Sequence, residues 1–530
     1  MGSSYSASDK GTKVVKAAGI VGGLTFMSRI LGYVRDMVIA SFFGASIYTD
    51  AFIAAFRIPN LMRRLFGEGS LSVLFIPVFS EYLVSGDKTN AYKLARTTLR
   101  LMTVILTIVV ILGILFAPII VKFVAPGFES NPEKFRLTVD LTRIMFPYLL
   151  FVGLVALSMA ILNTLNHFAA PALAPSLLNI AMISALVIVS FLSSERNMQV
   201  FALAMGVLCG GGLQLLLQLP FLLSCGINFK WRGKLFHPGL KRIGRLMLPT
   251  VFGSAIYQIN ILVGTLLASQ LAEGSISYLY YADRLVQFPL GIFAVAMGTA
   301  ILPTLSRQAA SQDLIGLKTT FADALCLVFF ITLPATVGLI VLREPIVIQL
   351  FQRGAFDAQT SQLTADALLY YGIGLWAYST IRVLLPTFYA LQDTWTPVQS
   401  GLISIVVNIG LGVILMKPMG HCGLALATAL ASILNFFLLT LSLRMRLGGF
   451  DGKRIVISIS KSILCALLMG YVVWQMTIID WGHLGSFRMP PVGQLCLNIA
   501  SGVVLFISFA KALSMPEINI IFAILKKVQK

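Results

Sequence analysis

Charge is what this chain has least of. Only 12% of its 530 residues are Asp, Glu, Lys or Arg, about half the share found in soluble globular proteins. That excludes a water-facing enzyme, a disordered regulator and a secreted disulfide scaffold together. Acid is scarcer than base, 21 against 40, leaving a formal charge of +19. The four histidines (His167, His237, His421, His483) are scattered, and neither HExxH nor a GxxxxGK[ST] phosphate loop occurs. No metal site and no ATP hydrolysis is therefore expected. The six cysteines (Cys209, Cys225, Cys326, Cys422, Cys465, Cys496) include no CxxC and sit in or beside apolar runs. They read as small apolar fillers. Nucleic acid is not expected as a partner: with so few charges in total, the positive bias is that of loops obeying the positive-inside rule. The polar start MGSSYSASDK has no small-residue cleavage site before the first apolar stretch, so no cleavable leader is expected.

What the chain has in abundance is hydrophobic residues, 57%, with mean hydropathy +0.88. Apolar runs of about 20 residues recur, as over 104–121, long enough for a helix to cross a bilayer and unlike the short alternating strands of a membrane barrel. The fold class expected is an all-α integral membrane protein of about fourteen transmembrane helices. With both termini in the cytoplasm, inside segments carry 22 Lys and Arg and outside segments 7, Lys134 among the latter. A missed helix would invert every later loop and spoil that asymmetry.

The sequence repeats itself. Arg57 pairs with Arg284 at offset 227, Asn163-x-Leu165-Asn166-His167 with Tyr389-x-Leu391-Gln392-Asp393 at 226, and Ile39-Ala40-Ser41 with Leu267-Ala268-Ser269 at 228. The offset spans six helices, an even number, so the copies share one orientation. Four regions follow: an N-lobe of helices 1–6 (1–225), a basic cytoplasmic linker (226–245), a C-lobe of helices 7–12 (246–446), and helices 13–14 (447–530).

Charges within the apolar spans are the candidate site. The first two spans hold Arg29, Arg35, Asp36, Asp50, Arg57, Arg63, Arg64 and Glu68. A charge at mid-membrane costs about 2.5–3.5 kcal/mol on insertion scales, so it faces a cavity or a partner. The excess of arginine invites an anionic, phosphorylated ligand, because the guanidinium fork binds phosphate oxygens bidentately. Tyr280-Tyr281-Ala282-Asp283-Arg284 brings an Asp–Arg pair from the other lobe. The bland alternative is local ion pairing or interfacial anchoring, which suits Arg143 and Arg382 best and leaves Arg57 and Arg64 open. Gly19-x-x-x-Gly23, Gly206-x-x-x-Gly210 and Gly210–Gly212 read as close helix packing.

The block Ser28-Arg29-Ile30-Leu31-Gly32-Tyr33-Val34-Arg35-Asp36, with Phe43-Gly44-Ala45, Thr49-Asp50-Ala51-Phe52, Arg57 to Phe66 and Glu68-Gly69, resembles the MurJ/MviN family. Ala125-Pro126-Gly127-Phe128 and Tyr280–Arg284 fit the same pattern. The resemblance covers essentially the whole chain. It implies an inner-membrane flippase of the multidrug/oligosaccharidyl-lipid/polysaccharide exporter superfamily. Such a protein moves lipid II, the undecaprenyl-diphosphate-linked disaccharide-pentapeptide, from the cytoplasmic to the periplasmic leaflet by alternating access. Cell-wall synthesis and cell shape depend on that step. It further implies substrate-binding roles for Arg29, Arg35, Arg63 and Arg284, acidic partners or conformational roles for Asp36, Asp50 and Asp283, a groove for the lipid tail on the last two helices, membrane lipid around a monomer, and no enzymatic activity.

In one respect the chain departs from the family. Some members bind sodium through carboxylates on helices 7 and 11, yet residues 250–272 and 398–420 contain no Asp or Glu. Gly264 and Gly412 stand at the corresponding positions, and Asn260 and Asn408 alone make a weak cation site. Drive by membrane potential or an ion gradient, the ion unknown, is expected without any bound cofactor. Two other readings compete. One is a flippase for another polyprenyl-diphosphate-linked oligosaccharide; the other is a multidrug or cation antiporter, which would want acids where this chain has arginines.

Overall fold

The computed structural model describes residues 4–63, 70–227, 236–478 and 490–520, and among them every regular element is helical. Arg64 and Glu68 lie outside the described residues. The chain forms two compact units, Met1–Glu273 and Gly274–Lys530.

The first unit comprises α1 (Ser4–Phe43), α2 (Ile47–Arg63), α3 (Ser70–Val84), α4 (Lys88–Leu115), α5 (Ala117–Val124), α6 (Pro132–Met145), α7 (Tyr148–Thr164), α8 (Ala169–Leu192), α9 (Arg196–Ser224) and α10 (Pro238–Ser269). The second opens with α11 (Ser275–Pro289), a π-wound turn at Leu290–Ala294 and α12 (Val295–Ala310). It continues with α13 (Leu314–Val341), α14 (Arg343–Phe351), α15 (Ala358–Ile373) and α16 (Leu375–Ala390), and ends with α17 (Trp395–Met419), α18 (His421–Leu447), α19 (Gly452–Ile478) and α20 (Pro491–Ala512). Among the described residues ten helical stretches are long and apolar enough to span a bilayer, and α15 with α16, bent by 42°, makes an eleventh. With α1, the α2–α3 segment and α10, this order is compatible with fourteen spans.

The breaks have local causes. Pro147 stands between α6 and α7, and Pro289 immediately precedes the π-wound turn, each removing an amide from the helical ladder. Such interruptions survive in membranes when neighbouring helices satisfy the freed groups. Large apolar side chains such as Ile108, Leu115, Phe123 and Val503 remain exposed, as helices solvated by lipid require.

The repeat is written into the backbone as well as the residues. α4 and α13 are both 28 residues long and start 226 residues apart. Each is capped by an aspartate: Asp87 accepts the Asn90 amide at 3.0 Å, and Asp313 accepts the Gly316 amide at 2.8 Å. Asn131 and Asp357 cap α6 and α15 in the same way. The left-handed residues recur too, Gly86 with Gln312 and Asn166 with Gln392. Capping by a short oxygen-bearing side chain satisfies amides that the first helical turn leaves open, so these positions fix where each span begins.

Two details of packing stand beside the repeat. α10, which the repeat assigns to the second lobe, packs on α3 and on the 126–130 turn within the first unit. Among the glycine motifs, Gly206-x-x-x-Gly210 packs on α8 and Gly211 packs on α7, where a Cβ would stand 2.6 Å from the Tyr148 ring. A Cβ at Gly206 would stand 2.9 Å from Ala185 Cβ, and one at Gly210 3.0 Å from Leu178 Cα, so these glycines let α9 approach α8. At Gly19, Gly23 and Gly212 a Cβ would meet nothing within 4 Å.

Candidate functional site

α1 carries Arg29, Arg35 and Asp36. Arg29 is exposed. Arg35 is not: it is 7% exposed, and Asp36 beside it is fully buried. The guanidinium donates to Asp36 Oδ1 from Nε at 3.0 Å and from Nη2 at 2.6 Å. Its Nη1 donates to Asn179 Oδ1 on α8 at 3.1 Å, and Asn179 Nδ2 returns a bond to the Ser28 carbonyl at 3.1 Å. This network ties α1 to α8. In this structure the Arg35 fork is turned into the protein, so a ligand reaching it would compete with a buried carboxylate.

Asp50, in the first turn of α2, is also buried. Its Oδ2 accepts from Lys134 Nζ at 2.7 Å, with both side chains below a tenth exposed. The Lys134 ammonium lies 4.2 Å from the centre of the Phe128 ring, which adds a cation–π contact. Lys134, counted with the outside segments, is buried as the partner of Asp50. The signal was present in Asn131-Pro132-Glu133-Lys134, a capping residue followed by proline at the first helical position, which puts Lys134 in the first turn of α6. The neighbouring Ala125-Pro126-Gly127-Phe128 seats against the end of α10. The Gly127 amide donates to Ser269 Oγ at 3.1 Å, and a Cβ there would lie 2.1 Å from the Ser269 carbonyl oxygen, so only glycine fits. Glu273 Oε1 accepts the Ile47 amide at 3.1 Å and closes the same end of α2.

Arg63, at the last turn of α2, is half-buried and donates from Nε to Asn60 Oδ1 at 3.1 Å. Arg57 is half-buried one to two turns earlier. Arg143 makes only a loose surface pair with Asp140 at 3.4 Å, and Arg382 is exposed.

In the second unit the Tyr280–Arg284 segment lies on α11. Tyr281 is fully buried and packs between Phe351 and Phe356, with ring centres 5.0 and 5.4 Å away. That anchor fixes the helix face on which Arg284 stands half-buried, 5.7 Å from the centre of the Tyr280 ring. Asp283 accepts a hydrogen bond from Gln287 one turn on. Downstream, α12 crosses α16 so closely that a Cβ at Gly298 would lie 2.3 Å from the Arg382 carbonyl oxygen. Asn260 on α10 is half-buried and Asn408 on α17 buried. No cluster of three or more His, Cys, Asp or Glu occurs among the described residues.

The acids among these residues accept hydrogen bonds, Asp36 from Arg35, Asp50 from Lys134 and Asp283 from Gln287. Chemically, the excess of arginine over acid suits recognition of an anion.

Known proteins agree with this chemistry. The family model described as lipid II flippase MurJ matches residues 39–492. A probable lipid II flippase MurJ of Vibrio cholerae is 38% identical over 92% of this chain and 95% of its own length. The lipid II flippase MurJ of Burkholderia cenocepacia is 37% identical over 92% and 94%. A solved lipid II flippase MurJ in an inward closed conformation superposes with TM-score 0.77 and 30% identity, covering 93% of this chain and 98% of that one. An inward-facing multidrug transporter of the MATE family, at 16% identity and TM-score 0.66, shares the fold alone.

Proposed function

We infer the mechanism from one premise: the chain belongs to the lipid II flippase MurJ family. It is a multi-pass membrane flippase for lipid II, the lipid-linked peptidoglycan precursor, carrying its headgroup across the inner membrane by alternating access. The observation that carries this reading is the set of intramembrane arginines on a scaffold matched to such flippases along nearly its whole length. Its work is translocation without bond-making. The direct test is complementation of a bacterial strain whose lipid II flippase can be switched off: growth restored by this chain supports the reading, and lysis despite normal membrane expression overturns it.

Arg29 and Arg63 in the first unit and Arg284 in the second are the residues we assign to the diphosphate. Two phosphates present more oxygens than one guanidinium can satisfy, so several forks are needed. Arg35 serves through its pair with Asp36, which holds α1 on α8 and so sets where Arg29 stands. Asp50 acts with Lys134 on the geometry of α2. Both termini lie in the cytoplasm, supported by the 22-to-7 distribution of Lys and Arg between inside and outside segments. The absence of acids from 250–272 and 398–420 favours drive by membrane potential or protons over a tight sodium site. The protein acts as a monomer, with the polyprenyl tail along α19 and α20.

A further inference from the structure

A cavity of about 290 Å³ opens in the second unit where the first turns of α19 meet the segment following α20. Asp451, Lys453, Arg454, Ser458, Lys461 and Glu517 supply its polar lining. Both acids carry structural hydrogen bonds, Glu517 through Oε1 alone, its Oε2 being buried with no hydrogen-bond partner among the described residues. Asp451 Oδ1 accepts the Arg454 amide at the start of α19. Glu517, 2% exposed, takes the Ser458 hydroxyl at 2.5 Å. The cations keep donors in hand. Lys453 is exposed and has no side-chain partner among the described residues. Lys461 spends one of its three N–H groups on the Leu513 carbonyl at 2.9 Å. Arg454 gives only its Nη2 to Asp323, leaving further donors of the five a guanidinium has. The N-terminus of α19, a 27-residue helix, adds its own positive end to the same spot.

We infer that this cavity holds the phosphate group of an anionic phospholipid. The position argues for a lipid over a free anion. The cavity lies at the end of two apolar spans, and therefore at headgroup height, and its wall includes Ile457. The exposed face of α19 continues from Ile457 through Ile463, Leu464 and Leu467, a surface along which acyl chains lie. Basic pockets between transmembrane helices are where anionic headgroups are recognised. The occupied site would pin the segment after α20 against α19, next to the proposed resting place of the polyprenyl tail.

The test is native mass spectrometry of the purified full chain titrated with phosphatidylglycerol, with inorganic phosphate as a separate arm. Lys453→Gln combined with Lys461→Gln weakens lipid retention about tenfold, the scale of losing a charged hydrogen bond. Lys453→Arg with Lys461→Arg retains it, as does Arg307→Gln, an exposed charge outside the cavity. Should the double variant fail to accumulate, Lys453→Gln alone, at an exposed position, lowers retention about threefold. Equal retention by the glutamine variants and the parent overturns the site. Displacement of the lipid by inorganic phosphate at millimolar concentration overturns the lipid and leaves a free-anion site.

Discussion

At the scale of single residues, arginines of the same type divide by what surrounds them. Arg29→Ala, Arg63→Ala and Arg284→Ala should express at normal level yet fail to complement, each losing about one to two orders of magnitude in binding for a charged donor worth roughly 1.5–3 kcal/mol. Lysine at these positions should rescue only in part, since it keeps the charge and loses the fork. Arg35→Ala should behave otherwise: breaking the buried Arg35–Asp36 pair costs about 3–5 kcal/mol, so protein level and thermal stability fall first. If Arg35→Ala melts like the parent and only transport is lost, Arg35 is a ligand group after all. Asp50→Asn and Lys134→Met obey the same rule. Each single change strands a buried charge and should destabilise strongly, whereas the double change should recover much of the loss in a thermal-melt cycle. The acids and arginines were legible in the sequence because charge is so rare there. Lys134 was not, because it sits among polar residues at a helix start, where a buried lysine and a solvated one look alike until the partner is known.

At the scale of elements, the spans were legible because apolar length is set by the bilayer, and the repeat because turns recur at a fixed offset. The bends were less so. Prolines marked the α6–α7 break, the π-wound turn and the α4–α5 break, where Pro118 stands in the first turn of α5, but the bend between α15 and α16 falls at Gly374 with no proline beside it. Packing seams depend on which face meets a neighbour, so Gly206 and Gly210 could not be told from Gly19 and Gly23 by spacing alone. Gly298 gives the sharpest case. Gly298→Val must push α12 away from the Arg382 carbonyl and should abolish complementation while Gly264→Ala, whose Cβ meets nothing within 4 Å, should grow normally. Equal growth of the two would show that the α12–α16 contact opens freely during transport.

At the scale of the whole molecule, orientation and energy source were inferred from where charges stand and where they are missing. In a background lacking the six native cysteines, Phe236→Cys, 72% exposed, should react with a membrane-permeant reagent and resist an impermeant one in intact cells. Labelling by the impermeant reagent would break the fourteen-span orientation. Replacing sodium by potassium at fixed potential should leave lipid II movement in vesicles unchanged, while collapsing the potential should slow it. One elementary charge moved through 100 mV is worth about 2.3 kcal/mol, ample to shift a balance between two states. A halt on sodium removal would show coupling to sodium despite the lack of carboxylates in 250–272 and 398–420.

The seating of Gly127 on the end of α10 bears on how the protein is made. A ribosome delivers helices in order, and a boundary drawn from the repeat would let the first half finish once residue 225 has emerged. The structure sets a later milestone. α3 and the 126–130 turn take their partner from α10, so the first unit is complete only when Ser269 and Glu273 have left the ribosome and entered the membrane. Until then the amides of Ile47 and Gly127 wait for acceptors on α10 and the turn after it, and the insertion machinery must shelter them through the translation of 226 and 142 residues respectively.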